Sequence, residues 1–389
     1  MAFRKVSIIG VGTTPYGVLE GQSLKGMAIK ACKEVMLDSH VNKELIQAFY
    51  LGNYIGGMVI GQETLAPLIA SSLGLNKTIP STRVEGACSS ASIAFMQGYW
   101  MVAAGVYDMV LVAGVEKMTT ATREKLTASL VASIDTETEG RTGLTFPGFW
   151  ALLAQRHMYE YGTTMEQISM VTVKNHQNGS KNPRARFRNI ITLEDVMESR
   201  LICDPLRIFH CCPNSDGASA VILCPSHMAK EFTDKAIEVA GIAQTTGYPT
   251  LSEMGQEVAL PATVSASKQA FEMAGLKPSD IDVVELHDCF SPAEIVDSED
   301  LGFFEKGKGG NALLEGITQV DGKLPINPSG GLMCKGHPVG ATGLGQVYEV
   351  VMQLRGEHEN QVRGAEIGLT HNAGGTGSVC CVTILRRWL

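Results

Sequence analysis

A chain of 389 residues is long enough for two domains or one large duplicated unit with ample buried core. Its 44% hydrophobic and 19% charged content is an ordinary globular balance. A net charge of −8 argues against nucleic acid as the main partner, because phosphate binding needs a strongly basic face; only a local basic patch for a phosphorylated ligand stays open.

The N-terminal half reads as alternating strands and helices. Val6 to Gly12 is a buried strand, and Ser23 to Leu37 carries apolar residues at helical spacing with Ser23 as N-cap. A strand is expected over Ala48 to Tyr54 and a helix over Glu63 to Leu73. A short extended segment then ends at Cys88, and a small-residue helix starts at once. A cysteine at a helix N-terminus meets unpaired N–H groups and the positive end of the dipole, which favour a thiolate. The alternative is a structural thiol, since free cysteine is often buried. Met109 to Val115 is a strongly apolar strand, of the kind that suits a sheet covered on both faces.

From Thr119 to about Cys203 the chain is richer in charge and helix formers, and reads as a mostly helical insertion. It carries Lys181, Arg184, Arg186 and Arg188 around one proline. Asp216 to Leu223 returns to strand. The C-terminal half repeats the theme: strand at Ile237 to Gln244, helix at Thr263 to Ala274, strand at Ile281 to Leu286. A Gly-rich turn then leads into a helix between Gly336 and Leu354, with strands at Glu366 to Thr370 and Ser378 to Leu385. Two halves of similar order suggest an internal duplication.

The ten cysteines do not read as a disulfide scaffold, because the chain is long and several lie inside apolar strands. Their spacing is not that of zinc ligands, and no metal site is apparent. No apolar run is long enough to span a bilayer, and no targeting segment precedes the first strand. The expectation is a cytoplasmic protein with reduced thiols, with no membrane association.

Four segments carry reactive residues at element ends: Cys88-Ser89-Ser90, His287-Asp288-Cys289-Phe290, Gly336-His337-Pro338, and His371-Asn372-Ala373-Gly374-Gly375-Thr376-Gly377. Ligands in α/β folds gather at the carboxyl ends of strands. Taken singly, each has a structural reading: His337 bonding backbone at a helix start, Cys289 in the core, His287 and His371 satisfied in turns, and the basic group as a solvated face. Two cysteines and three histidines together point to nucleophilic and acid–base chemistry.

These four segments, in this order, resemble the active-site loops of the thiolase superfamily, over essentially the whole chain. Gly114 to Met118, Thr145 to Gly148 and Asp216 to Ala220 are also similar to that family. His287-Asp288-Cys289-Phe290, with His371 where most thiolases carry a second cysteine, resembles the archaeal-type and sterol-carrier-protein-type members. The resemblance implies an α/β thiolase fold of duplicated βαβαβαββ halves, packed as five layers α-β-α-β-α with a helical insertion. It implies an N-terminal half over 1–118, completed by 206–234, an inserted domain over 119–205, and a C-terminal half over 235–389.

It further implies an acyl-CoA C-acyltransferase that makes or cleaves a 3-oxoacyl-CoA. Cys88 would accept the acyl group, His337 would take its proton, and Cys289 would move the α-proton with a thiol pKa near neutrality. One oxyanion hole would combine the His337 ring with a group or water held by His287. The other would combine the Cys88 amide with an amide near Ala373. His371 would assist proton transfer or shape the pocket.

Coenzyme A is the substrate handle, with Lys181, Arg184, Arg186 and Arg188 as candidates for its phosphates, and no permanently bound cofactor is expected. Implied partners are a second copy in a dimer or tetramer and a small OB-fold zinc protein. The acyl group would be acetoacetyl, or a larger branched or aromatic one such as benzoylsuccinyl, lined by Phe146, Phe149, Trp150, Met158 and Met170; those five side chains otherwise read as helix core. The alternatives are a ketosynthase or hydroxymethylglutaryl-CoA-synthase-like enzyme, for which Cys289 is dispensable, and a non-catalytic acyl-binding subunit.

Overall fold

The computed structural model describes residues 3–255 and 258–388. Its strands are β1 (Val6–Thr13), β2 (Ala48–Gly52), β3 (Ser81–Val84), β4 (Val110–Glu116), β5 (Leu201–Cys203), β6 (Leu206–Arg207), β7 (Gly217–Pro225), β8 (Ile237–Thr246), β9 (Val283–Glu285), β10 (Ile367–Gly374) and β11 (Val379–Arg387). Nine of them form one sheet in the order β3-β2-β4-β7-β1-β8-β11-β10-β9, while β5 and β6 make a separate hairpin.

The sheet divides at β1 and β8, which share only the pairs Ser7–Glu238 and Ile8–Ile237. On one side β2 and β4 are parallel, and β7 runs antiparallel to both β4 and β1. On the other side β9 and β10 are parallel, and β11 runs antiparallel to both β10 and β8. The two halves therefore repeat one topology, which residue identity alone leaves unproven.

Period-two burial explains the layers. Ile9, Phe49, Leu51, Leu111 and Ile222 face the outer helices Leu24–Ser39 and Leu65–Leu73. Ile8, Ala48, Val110, Val112, Val221 and Leu223 face inward, onto the helices Ser90–Ala103 and Thr342–Arg355. The same central cluster takes in Val239 and Leu385 from the second half. That half turns Ala243, Val382 and Ile384 outward onto the helix Pro261–Ala274. The result is the α-β-α-β-α arrangement.

Ser23 caps its helix by accepting from the Gly26 amide, as its position implies. The stretch after β4 holds the helices Arg123–Val131, Phe146–Tyr161, Met165–Gly179 and Leu193–Glu198. Phe149, Trp150 and Ile168 from it pack with Ile295 and Val296 of the helix Ser291–Asp300, so this layer rests on the second half. Among the described residues no helix is long and apolar enough to cross a membrane.

One boundary differs instructively. The segment His371 to Gly374 reads as a loop because it is polar and Gly-rich. It is instead the end of β10, paired residue for residue with β11 from His371–Val382 to Gly374–Val379.

Candidate active site

Cys88 lies in the 3-10 turn Ala87–Ser89 that leads into the helix Ser90–Ala103. The turn is sharp: Ala87 is held at φ 50°, a left-handed conformation that a residue with a Cβ rarely adopts. The small residues behind it are a packing requirement. A Cβ on Gly52 would stand 2.4 Å from the Ala91 Cα, so β2 admits the helix only because that position is bare.

The equivalent central helix, Thr342–Arg355, is preceded by Gly336-His337-Pro338. The duplication thus brings the entrances of two matching helices together, with Cys88 at one and His337 at the other. His287 and Cys289 follow β9, and Gly375 follows β10. All five line one cavity of about 580 Å³.

At its floor the Cys88 sulfur and one ring nitrogen each of His287 and His337 lie within 4.8 Å of one another. These atoms have a spacing that a metal ion could use, a grouping that the sequence spacing did not reveal. The His287 and His337 rings meet edge to face with centroids 5.0 Å apart.

His337 Nδ1 sits 2.7 Å from the Thr342 hydroxyl, which itself donates to the Pro338 carbonyl. The hydroxyl proton being committed, Nδ1 carries the ring proton and Nε2 is left with its lone pair. Burial pushes His337 down to about 3, so the ring is neutral.

The helix start favours a Cys88 thiolate, but burial opposes it. Burial, with the Glu116 carboxylate next in weight, pushes the Cys88 thiol up to about 12. The Cys88 and Gly375 amides point at the sulfur and pull the other way, but desolvation outweighs them. Glu116 is itself buried and raised to about 7, while the Tyr54, Ile55 and Gly340 amides and Asn53 donate to it. It ties the ends of β2 and β4 to the His337 turn.

Cys289 departs from expectation in the same direction: burial first, then the neighbouring Cys212 and Cys88, hold its thiol well above the ordinary range rather than near neutrality. Cys212 is an unanticipated neighbour. Its amide donates to the Cys289 carbonyl at 3.1 Å, and both cysteines line the cavity. All ten cysteines are free.

Asp288 braces the loop. It accepts from the Leu332 and Met333 amides and from Asn175 Nδ2, joining the His287 loop to the turn that carries His337.

His371 does not line the cavity. Fully buried, it accepts from the His287 amide at Nδ1 (3.4 Å) and bonds the Thr263 hydroxyl through Nε2 (2.9 Å). It supports the His287 backbone from behind.

Ala373 likewise stays inside β10, opposite Cys380, because the strand runs on to Gly374. The amide that faces Cys88 is that of Gly375, where φ turns to 62° and frees the backbone from the ladder.

Of the four basic candidates only Arg186 lines the cavity. The segment lies along the His337 turn through the bonds Arg186 N–H to Lys335 O and Phe187 N–H to Cys334 O, so its side chains fan apart. Arg184 pairs with Glu359 and covers the Tyr348 ring, while Lys181 and Arg188 are exposed outside the cavity. Arg123 lines the cavity and was missed, since nothing local marks it. Among the five large side chains considered for the acyl group, Phe146 alone lines the cavity; Phe149, Trp150, Met158 and Met170 pack in the core of the insertion.

Comparison with known proteins agrees with this layout. The thiolase N-terminal domain family matches residues 6–227, and the thiolase C-terminal domain-like family matches residues 243–387. The chain belongs to the thiolase family. An acetyl-CoA acetyltransferase of Methanothermobacter thermautotrophicus is 49% identical over 99% of this chain and 100% of its own length. Benzoylsuccinyl-CoA thiolase subunit BbsB of Thauera aromatica is 36% identical over 96% of this chain and 95% of its own. A solved structure, the Ltp2-ChsH2(DUF35) aldolase, superposes with a TM-score of 0.85 at 25% identity, covering 98% of both chains.

Proposed function

We propose that this thiolase, an acyltransferase with coenzyme A as substrate and product, makes or cleaves a 3-oxoacyl-CoA through an acyl group on Cys88. The observation that carries this is the meeting of Cys88, His287 and His337 within 4.8 Å at the floor of a cavity that Cys289 also lines.

In cleavage the Cys88 sulfur attacks the 3-oxo carbon as His337 Nε2 takes the thiol proton. The bond between C2 and C3 breaks, the acyl group stays on Cys88, and Cys289 protonates the departing acetyl-CoA carbanion. The thiol of CoA then takes the acyl group. Condensation reverses each step, with Cys289 removing the α-proton. Splitting the reaction at a thioester keeps each step modest, since acyl exchange between thiols is nearly isoenergetic.

Negative charge on the oxygen at Cys88 would meet the Cys88 and Gly375 amides. Charge on the other thioester oxygen would meet the His287 ring and, once it has taken the Cys88 proton, the His337 ring. Preorganised donors of this kind contribute roughly 3–4 kcal/mol each. Arg186 and Arg123 are the cavity cations proposed for the CoA phosphates.

Acetoacetyl-CoA is the first substrate proposed, on the likeness to the acetyltransferase. A bulkier acyl group is the second, favoured by the apolar lining of Leu126, Leu130, Phe146 and Phe290 and by the likeness to the benzoylsuccinyl-CoA thiolase subunit. The proposed assembly is a homodimer or tetramer, with a second, smaller polypeptide as the aldolase likeness suggests.

The test is intact-protein mass after brief exposure to acetyl-CoA and to a panel of 3-oxoacyl-CoA esters. An adduct on wild type that Cys88→Ala lacks supports the reading and identifies the acyl group. No adduct from any ester points to a non-catalytic subunit. Full activity of Cys289→Ala would favour the ketosynthase-like alternative.

A further inference from the structure

Behind His287 stands a side chain that the sequence reading left without a role. Asn372 Nδ2 lies 2.8 Å from His287 Nδ1, and Asn372 Oδ1 lies 2.8 Å from the Ser92 hydroxyl, which donates to it. Both groups are held. The Ser89 hydroxyl donates to the Asn372 carbonyl at 2.9 Å, and Ser92 belongs to the helix that Cys88 opens. Asn372 is 1% exposed, so neither end of its amide has water as an alternative partner.

An amide whose oxygen is engaged by a hydroxyl proton must present its NH₂ on the other side. His287 Nδ1 can then only accept, and the single proton of the neutral ring goes to Nε2, the nitrogen left for the cavity. The surroundings agree. His337 presents a bare Nε2 lone pair to the same space, so an N–H on His287 faces it favourably, whereas a second lone pair would repel it. Burial and the neighbouring His337 and His371 hold His287 well below the imidazole range, which keeps the ring neutral.

We infer that Asn372, oriented by Ser92, is a positioning residue that fixes His287 as the Nε2–H tautomer and so makes it a hydrogen-bond donor to the reacting oxygen and never a base. The assignment divides the labour of the two rings. His337, with Nδ1–H committed to Thr342, takes protons; His287, with Nδ1 committed to Asn372, gives a hydrogen bond. It also explains why the Cys88, His287 and His337 atoms, although spaced like metal ligands, include one ring nitrogen with no lone pair to offer. The catalytic consequence rests on the thiolase reading above; the tautomer does not.

The test is ¹⁵N NMR of histidine-labelled enzyme, with the His287 ring signals identified by their loss in His287→Asn. Wild type is expected to show His287 Nδ1 as an unprotonated acceptor and Nε2 as protonated. Asn372→Asp, which can only accept, is expected to move the proton to Nδ1. In turnover of whichever 3-oxoacyl-CoA ester acylates Cys88, Asn372→Asp should lower kcat by about 10²-fold with little change in KM, as for loss of one oxyanion donor. Ser92→Ala is the gentler variant; it frees the amide to turn over and should give a mixture of tautomers and a smaller loss.

A wild-type His287 protonated at Nδ1 overturns the inference, as does an unchanged tautomer in a folded Asn372→Asp. Wild type with the expected tautomer but no acylation by any ester would support the lock and overturn the proposed reaction instead.

Discussion

Cys88 and His337 meet as a neutral pair, because the same burial raises the thiol to about 12 and lowers the imidazole to about 3. The ion pair is then made during attack, not before it. The sign is clear: an acid raised this far is protonated at neutral pH, and its thiolate fraction grows about tenfold per pH unit. Alkylation of Cys88 by iodoacetamide should therefore climb steadily to at least about pH 10. A plateau below about pH 8 would mean that the thiolate is already present. His371 makes a contrasting case. Its two nitrogens serve Thr263 and the His287 backbone, away from the cavity. His371→Gln should cost about 1–3 kcal/mol in urea unfolding, the scale of a disrupted buried polar group. Cys88 should still acquire its acyl mass, which intact-protein mass spectrometry would check.

The two central helices meet at a seam that tolerates no added atom. A Cβ on Gly343 would stand 1.9 Å from the Ser92 Oγ and 2.6 Å from the Asn372 Oδ1. Gly343→Ala should destabilise the fold by about 1–3 kcal/mol through overpacking, and should also disturb the His287 tautomer by displacing Asn372. Thermal unfolding beside the ¹⁵N spectrum would separate the two effects. The helices and strands themselves were legible because their apolar periodicity is strong. So were the four reactive segments, because glycine and polar residues cluster where strands end. What sequence could not show were the partners supplied across the fold. Asn372 reaches His287 over 85 residues and Ser92 over 280, and neither spacing carries a local signal. The end of β10 was misread for a related reason: His371 to Gly374 look like a turn until β11 pairs with them. Proximity to a helix start is legible for Cys88, whereas its burial is a property of the folded whole.

At the scale of the molecule the sheet has two ends of different character. β9 closes one end and is fully buried, whereas β3 closes the other with Thr82 exposed. An exposed edge strand is a template for pairing with another chain, and the exposed apolar residues Met58, Ile60 and Leu68 belong to the same half. The proposed dimer would use this edge. Light scattering should give twice the mass of one chain, and Ser81→Pro, at a position whose N–H faces away from β2, should give a folded monomer. A mutant that stays dimeric would place the contact elsewhere. The line of division at β1 and β8 matters in a different way. Cys88 lies before it in the chain, whereas His287, Cys289, His337 and Gly375 all lie after it. While the polypeptide is being synthesised, the nucleophile emerges long before any group that could take its proton or cradle its oxyanion. An unfinished chain holds an exposed thiol of ordinary acidity, with no pocket to hold an acyl thioester against it. Directed acyl transfer is conferred only when the last strands close over the second half, and an incomplete product lacks every group that would guide it.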